Sequence, residues 1–405
     1  MHEARATHPW RGRLALGAAL LLAFLLIATV QFARRTDSAG AKAGTPDSAA
    51  PSSPPPESAA EQARRAAVAA LRPLNHHGVN AADLYADASA LYAALTPEEK
   101  DILGHPHDNG DPDAAAALYA KLQPIMDLLR RARDADYVDW NMGPLTLGTN
   151  MNSRIDQGRA LEQVALWESG YRFQSDPDGA VSDLAALVVL GHDECDTMIG
   201  LSLENSFRTD AIGLIAQNAG SISSAAETDI DYIVSQAVAQ EGFQAGMNGE
   251  VSELQAYLTQ YSNPATRSPM DANYTISPQK VASTVNLIAQ TDQALETANL
   301  EPQAQFQQWW DQQIGATASL PLATAALKGQ EEVISREQAS LVENAMLAAG
   351  IALEQGDLAH FQSIVDPSTG QPFTCTQTAT GFQLVSPVQY KGDPVTLTFD
   401  NPAAQ

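Results

Sequence analysis

The chain has 405 residues, 23 basic and 48 acidic, with a formal net charge of −25 and only 6% aromatics. Residues 1–42 hold six basic and two acidic side chains, leaving 17 basic against 46 acidic elsewhere, a balance of −29. A body this acidic repels phosphate backbones, which argues against nucleic acid as a partner and leaves room for a cationic protein.

The first element is Leu14–Phe32, "LALGAALLLAFLLIATVQF", with no charge and only Thr29 and Gln31 as polar interruptions. As a helix it covers about 28 Å, close to the hydrocarbon thickness of a bilayer, where a helix satisfies its own backbone. Arg5, Arg11 and Arg13 precede it and Arg34 and Arg35 follow, a slight basic excess that points to an inside N-terminus. A cleaved signal peptide is the competing reading, but the run is long for one and no clean small-x-small site precedes the basic pair. Residues 1–35 are therefore expected to be a membrane anchor. Residues 36–60, rich in Pro, Ser, Ala and Gly, cannot offset their ordering entropy and read as a solvated tether.

Residues 61–364 read as α-helical. "NAADLYADASALYAAL" is followed by Thr96-Pro97-Glu98-Glu99, which joins an N-cap, a first-turn proline and acids at the positive end of a helix dipole. "DPDAAAALYAKLQPIMDLLRRARDA" opens under Asp111 or Asp113 and turns Leu118, Leu122, Met126 and Leu129 inward. Two further helices meet at Ser175–Gly179. The first presents Leu161, Val164, Ala165 and Tyr171, the second Val181, Leu184, Leu187 and Val188. This hairpin, and the helix–turn–helix cadence of Met346–Val365, resemble tetratricopeptide-like units, but no period near 34 residues repeats. The expected fold is mainly α, an irregular bundle with solenoid-like hairpins.

Later helices are expected at about Met198–Gln217, Ala225–Gln240, Asn248–Gln260, Pro278–Ala298, Pro302–Ile314 and Glu331–Glu354, with a loop over Tyr261–Pro278. In residues 365–405 the period changes. "PFTCTQT" and "FQLVSP" form a hairpin around Ala379-Thr380-Gly381, and "PVTLTF" could add a third strand, as a small tail capping the helices.

These pieces resemble a family of bacterial membrane-anchored helical proteins whose activity is uncharacterised. The resemblance lies in "NAADLYADASALYAALTPEEKDIL", "YVDWNMGP", "DPDGAVSDLAALVVLGH", "IGLSLENSF" and "LEQGDLAHFQSIVDPSTGQPFTCTQTATGFQLVS", about half the chain, and it implies no activity. The tail also resembles the globular end of major pseudopilins. Asp366, Pro367, Gly370, Pro372 and Phe373 match a turn, and Gly381 and Phe382 a strand start. Against a pilus subunit stand the missing processing-site pattern, "GDLAHFQSIV" where a proline-marked strand belongs, and the ending "VQYKGDPVTLTF".

Nucleophile-elbow, phosphate-loop and zincin patterns are absent. "GHPHDNGDPD" offers His105, His107 and Asp108, with Asp111 and Asp113, as metal ligands on an extended loop; a helix-capping loop explains the same letters. "GHDECD" places His192, Asp193, Glu194, Cys195 and Asp196 at a helix end, where contiguous side chains fan apart. His76-His77 reads as a solvated turn. Glu204 and Glu354 stand in apolar helices as candidate buried acids, although the wet face is the commoner place for such residues. Trp309 and Trp310 are the interaction candidates: about 100° apart on a helix, one can join Phe306 and Ile314 in the core while the other lies near the surface, although ordinary core packing of both is the commoner outcome. Asp139-Trp140 poses the same choice. Cys195 and Cys375 could pair as a disulfide in an oxidising compartment, or stay as free buried thiols.

The function expected from this order is a non-catalytic, membrane-tethered interaction or scaffold protein of the bacterial envelope. Its body lies on the periplasmic side of the inner membrane, its partner is an unidentified protein, and it needs no cofactor. The alternatives are a metal-dependent hydrolase built on His105, His107 and Asp108, and an accessory subunit of a pseudopilus-like secretion assembly.

Overall fold

The computed structural model describes residues 78–104, 111–140, 150–262, 278–298, 303–317 and 320–400. The apolar Leu14–Phe32 run, the 36–60 segment, His76-His77, the His105/His107/Asp108 cluster and nearly all of the Tyr261–Pro278 loop lie outside these residues. Among the described residues no helix is long and apolar enough to cross a membrane.

The chain is mainly helical and ends in a small antiparallel sheet. The helices are α1 (Ala81–Ala93), α2 (Pro97–Leu103), α3 (Pro112–Arg133), α4 (Asn150–Arg172), α5 (Pro177–Glu194), α6 (Met198–Asn218), α7 (Glu227–Val234), α8 (Gln236–Ser262), α9 (Pro278–Ala298), α10 (Gln303–Ala316), α11 (Pro321–Glu354) and α12 (Leu358–Ser363). Their starts follow cap chemistry. Thr96 accepts from the Glu99 amide while the Glu99 carboxylate accepts from the Thr96 amide, closing a capping box. Asp111 and Asp176 cap helices that carry proline in the first turn, accepting from the amides of Asp113 and Gly179.

Asn80 both caps α1, through the Ala82 amide, and clamps the strand-like segment after α3. Its amide donates to the Asp139 carbonyl at 2.9 Å and its oxygen accepts from the Asp139 amide at 2.8 Å. Trp140 is thereby delivered onto the Tyr85 ring, centroids 5.6 Å apart, and its indole N–H donates to the Asp193 carbonyl at 2.9 Å. The Asp139-Trp140 pair is thus a brace between α1 and the end of α5, with Trp140 partly buried.

α5 lies in the middle of the bundle and is buried nearly all round, packed on α3, α4 and α6. The main core runs from Tyr85 and Leu122 through Val164, Leu187 and Phe207 to Val342 and Leu347. A second apolar cluster joins Met198 and Leu201 of α6, Phe243 and Met247 of α8, Ile288 of α9, Phe306 and Trp310 of α10, and Leu327 and Ile334 of α11. Helices α6 and α11 serve both.

Three boundaries depart from the sequence reading. The expected Ala225–Gln240 helix breaks at Ser235, whose extended backbone ends α7 before α8 begins. Instead of breaking between Gln240 and Asn248, α8 runs on through Gly242, Gly246 and Gly249. These glycines let its backbone press against α6 and the turn before it: a Cβ at Gly249 would stand 1.6 Å from the Asp196 carbonyl oxygen, and one at Gly246 2.9 Å from Leu201 Cβ. Packing outweighs the usual cost of about 1 kcal/mol per helical glycine. α11 starts at Pro321, ten residues before the expected Glu331, because apolar Ala323 and Leu327 extend its buried face into the second cluster.

The C-terminal strands β1 (Thr374–Gln377), β2 (Gly381–Tyr390) and β3 (Asp393–Asp400) form one sheet in the order β1-β2-β3, all antiparallel. Lys391 (φ 55°) and Gly392 (φ 90°) make the tight β2–β3 turn with two consecutive left-handed residues, the geometry that two-residue hairpins favour. Phe382, Leu384, Val388, Val395, Leu397 and Phe399 face the helices and join the main core. The Phe382 and Phe399 rings stack 4.8 Å apart, and Phe399 sits directly over Gly350 of α11. Buried Asp366 ties the preceding turn to this sheet, accepting from the Ser368 amide at 2.8 Å and from the Ser386 hydroxyl at 2.6 Å. The three-stranded sheet therefore packs on α6 and α11 and adds its apolar face to the main core.

Candidate functional site

Among the described residues, a histidine, a cysteine and a glutamate come together where α5 ends and α6 turns back along it. His192 in the last turn of α5 and Cys195 at its C-cap, three residues apart, lie on one side of the helix end. Glu204 comes to them from the second turn of α6, and one donor atom from each of the three lies within 4.8 Å of the others. Glu204 is 1% exposed and Cys195 2%, while the His192 side chain keeps 19% of its surface, so the grouping has an outer and an inner end.

The local fold explains the convergence. Thr197 caps α6 through the Gly200 amide, and Gly200 packs so closely on the preceding turn that a Cβ there would stand 1.8 Å from the Glu194 carbonyl oxygen. Glu204 is flanked by two glycines: a Cβ on Gly191 would lie 2.9 Å from its Cα, and one on Gly242 of α8 2.0 Å from its Oε2. The neighbours of His192 and Cys195 fan outward, as contiguous helical residues must. Asp193 accepts from the Tyr85 hydroxyl at 2.8 Å, Glu194 points at Gly158 of α4, and Asp196 pairs with Arg154. Arg154, 7% exposed and stacked over Trp140 at 4.9 Å, holds both Asp196 oxygens and the Glu194 carbonyl, which fastens the end of α5.

The electrostatics follow from burial and partners. Burial pushes the Glu204 carboxyl up, but His192, 3.6 Å away, and Arg208, whose guanidinium donates to Oε1 at 2.8 Å, outweigh it, so Glu204 is held below the usual carboxylate range. Arg208 is itself fully buried and donates to the Ile233 carbonyl. Burial and the Glu204 charge raise the Cys195 thiol well above its ordinary value, and its S–H donates to the His192 carbonyl at 2.8 Å. Burial lifts Glu194 to about 8 and Glu337 of α11, which feels the Glu204 charge, to about 7.

A second network links α3, α4 and α5. Asp183, fully buried, accepts from Arg130 at 2.6 and 3.0 Å and from Arg172 at 2.7 Å. Beside it, Glu168 accepts from Gln123 at 3.0 Å, and burial together with the Asp183 charge raises it to about 8. Glu162, raised by burial and by Asp210, is a third buried acid.

The residues singled out in the sequence fall differently. Trp310 is fully buried, stacked on Phe306 at 6.1 Å, so it is a core residue and not a surface contact: the apolar face shared by α8 to α11 takes the larger indole inward. Trp309 is half-buried and leans on both Phe306 and Trp310. Cys195 and Cys375 are both free. Cys195 is enclosed beneath α6 while Cys375 is exposed on β1 at the sheet edge, so the disulfide is not formed and only one of the thiols is buried. Glu204 is a buried acid, and Glu354 is partly buried, its carboxyl raised by burial. Sequence reasoning missed the joining of Glu204 to His192 and Cys195; the i, i+3 spacing of the latter pair was the available signal. No protein-family model, curated protein or solved structure matches the chain.

Proposed function

We propose that this is a membrane-tethered, non-catalytic interaction module whose acidic helical body engages a basic surface on a partner protein. The observation that carries it is the sorting of charge. The side chains of Arg208, Arg154, Arg336, Arg172, Arg130 and Arg133 are 0%, 8%, 16%, 21%, 25% and 26% exposed, and each is spent on carboxylates. Asp83, Asp87, Glu98, Asp127, Glu227, Asp231, Glu241 and Asp311 face solvent. Among the described residues exposed carboxylates thus outnumber exposed cations such as Lys121, Arg131, Lys280 and Lys328, which steers a cationic partner and disfavours anionic ones.

The Leu14–Phe32 run supports the tether, with residues 36–60 as its leash and the body outside the inner membrane. The solenoid-like α4–α5 hairpin belongs to the same reading, because stacked helix pairs offer broad faces for partners. The test is fractionation of cells followed by cross-linking of the full-length chain in the membrane fraction. Recovery in that fraction with a cross-linked basic protein is expected. Full-length chain found wholly in the soluble fraction removes the tether, and cross-links confined to acidic proteins remove the charge argument.

A further inference from the structure

We propose that His192, Cys195 and Glu204 form a binding site for one divalent transition-metal ion of the zinc class. The donor set is one imidazole nitrogen, one thiolate sulfur and one carboxylate oxygen, a combination that suits zinc better than calcium or magnesium, which take oxygen. The three donors are already within 4.8 Å of one another. Around a tetrahedral zinc such atoms stand about 3.3–3.8 Å apart, so the ring contracts by about 1 Å, within reach of side-chain torsions.

Three further features point to a ligand. Glu204 is 1% exposed, yet its Oε2 has no hydrogen-bond partner, an arrangement that is costly unless something else meets that oxygen. Its other oxygen accepts from Arg208, itself pinned to the Ile233 carbonyl, which is how an outer group orients a ligating carboxylate. Gly191 and Gly242 let Glu204 seat against both neighbouring backbones, since a Cβ on either would collide with its Cα or its Oε2. The partly exposed His192 ring gives an entry path, and its i, i+3 spacing from Cys195 makes a local chelate on one helix. Binding converts the Cys195 S–H to a metal-bound thiolate and releases that proton to solvent. The site shares no residue with His105, His107 and Asp108 and owes nothing to the tethered-module reading.

The experiment loads the purified full-length chain in detergent with Zn(II) or Co(II), removes the excess, and measures metal per chain together with the cobalt absorption spectrum. Expected are about one equivalent of metal and a thiolate-to-cobalt charge-transfer band. Cys195→Ser should abolish the band, and His192→Gln and Glu204→Gln should weaken binding at least about ten-fold. His105→Ala/His107→Ala should leave both readouts intact. Circular dichroism checks that each variant is folded; should Cys195→Ser unfold, Cys375→Ala decides, since it should keep the band and its loss there would overturn the assignment. Metal far below one equivalent, a cobalt spectrum without thiolate character, or binding lost with His105/His107 and kept in Cys195→Ser would each overturn the proposal.

Discussion

Asp183 is the keystone of the α3–α4–α5 junction, and replacing it with asparagine tests whether buried ion pairs hold the bundle. The substitution keeps the volume but removes the charge that faces Arg130 and Arg172 at 2.6–3.0 Å. Charge-assisted hydrogen bonds contribute about 1.5–3 kcal/mol each, and three of them would suggest a very large loss. Two features reduce it. Arg130 keeps Asp127 at 2.8 Å and Arg172 keeps Asp176, and both arginines are 21–25% exposed, so water recovers part of the deficit. Breaking a buried pair costs about 3–5 kcal/mol, and the lower end, about 3 kcal/mol, applies here. Asp127→Asn, at a side chain 67% exposed, removes a partner of the same arginine for under about 1 kcal/mol. Urea unfolding followed by circular dichroism at neutral pH compares the two. If Asp183→Asn costs less than about 1 kcal/mol, or no more than Asp127→Asn, the buried network does not carry the stability assigned to it.

Other consequences follow from the same geometry. Glu168, raised from 4.5 to about 8, binds a proton in the folded protein that the unfolded chain releases, so its contribution to stability declines as pH rises across that interval. The stability of wild type relative to Glu168→Gln should therefore fall between pH 5 and pH 8 in denaturant titrations; a flat or rising difference contradicts the assignment. Gly350→Ala places a methyl 1.9 Å from the Phe399 ring and should cost about 1–3 kcal/mol, with partial recovery in Gly350→Ala/Phe399→Leu by thermal unfolding. Asn80→Ala loses the α1 cap and both bonds to Asp139, worth about 2 kcal/mol, and should expose Trp140 to fluorescence quenching.

What could be read from the sequence was local. Thr96-Pro97-Glu98-Glu99, Asp111-Pro112 and Asp176-Pro177 announce helix starts because caps act within four residues, and the alternation of "FQLVSP" announces the middle of β2 because its period is two. Helix α8 was misjudged at Gly242–Gly249 because glycine is a breaker by propensity, while here it serves the close approach of two backbones. Such a reason exists only in three dimensions. The site shows the same division. His192 and Cys195 are visibly one turn apart, and Glu204 is visibly an acid in an apolar helix. That they meet depends on the tight Cys195–Thr197 turn and on Gly200 seating α6 against the Glu194 carbonyl, neither of which has a sequence period. The roles of Trp309 and Trp310 were equally undecidable from adjacency, because which indole turns inward depends on the positions of α8 and α11.

The most direct test of the acidic-module reading neutralises the exterior without touching the core. The full-length chain with Asp87→Asn, Glu98→Gln, Glu227→Gln and Asp231→Asn, all at exposed positions, is compared with wild type for capture of cross-linked partners across a salt series. Wild type should retain a basic partner at low salt and release it as ionic strength rises, and the neutralised chain should retain several-fold less at every salt concentration. Equal retention by the two chains, indifferent to salt, would contradict the claim that outward-facing carboxylates recruit the partner.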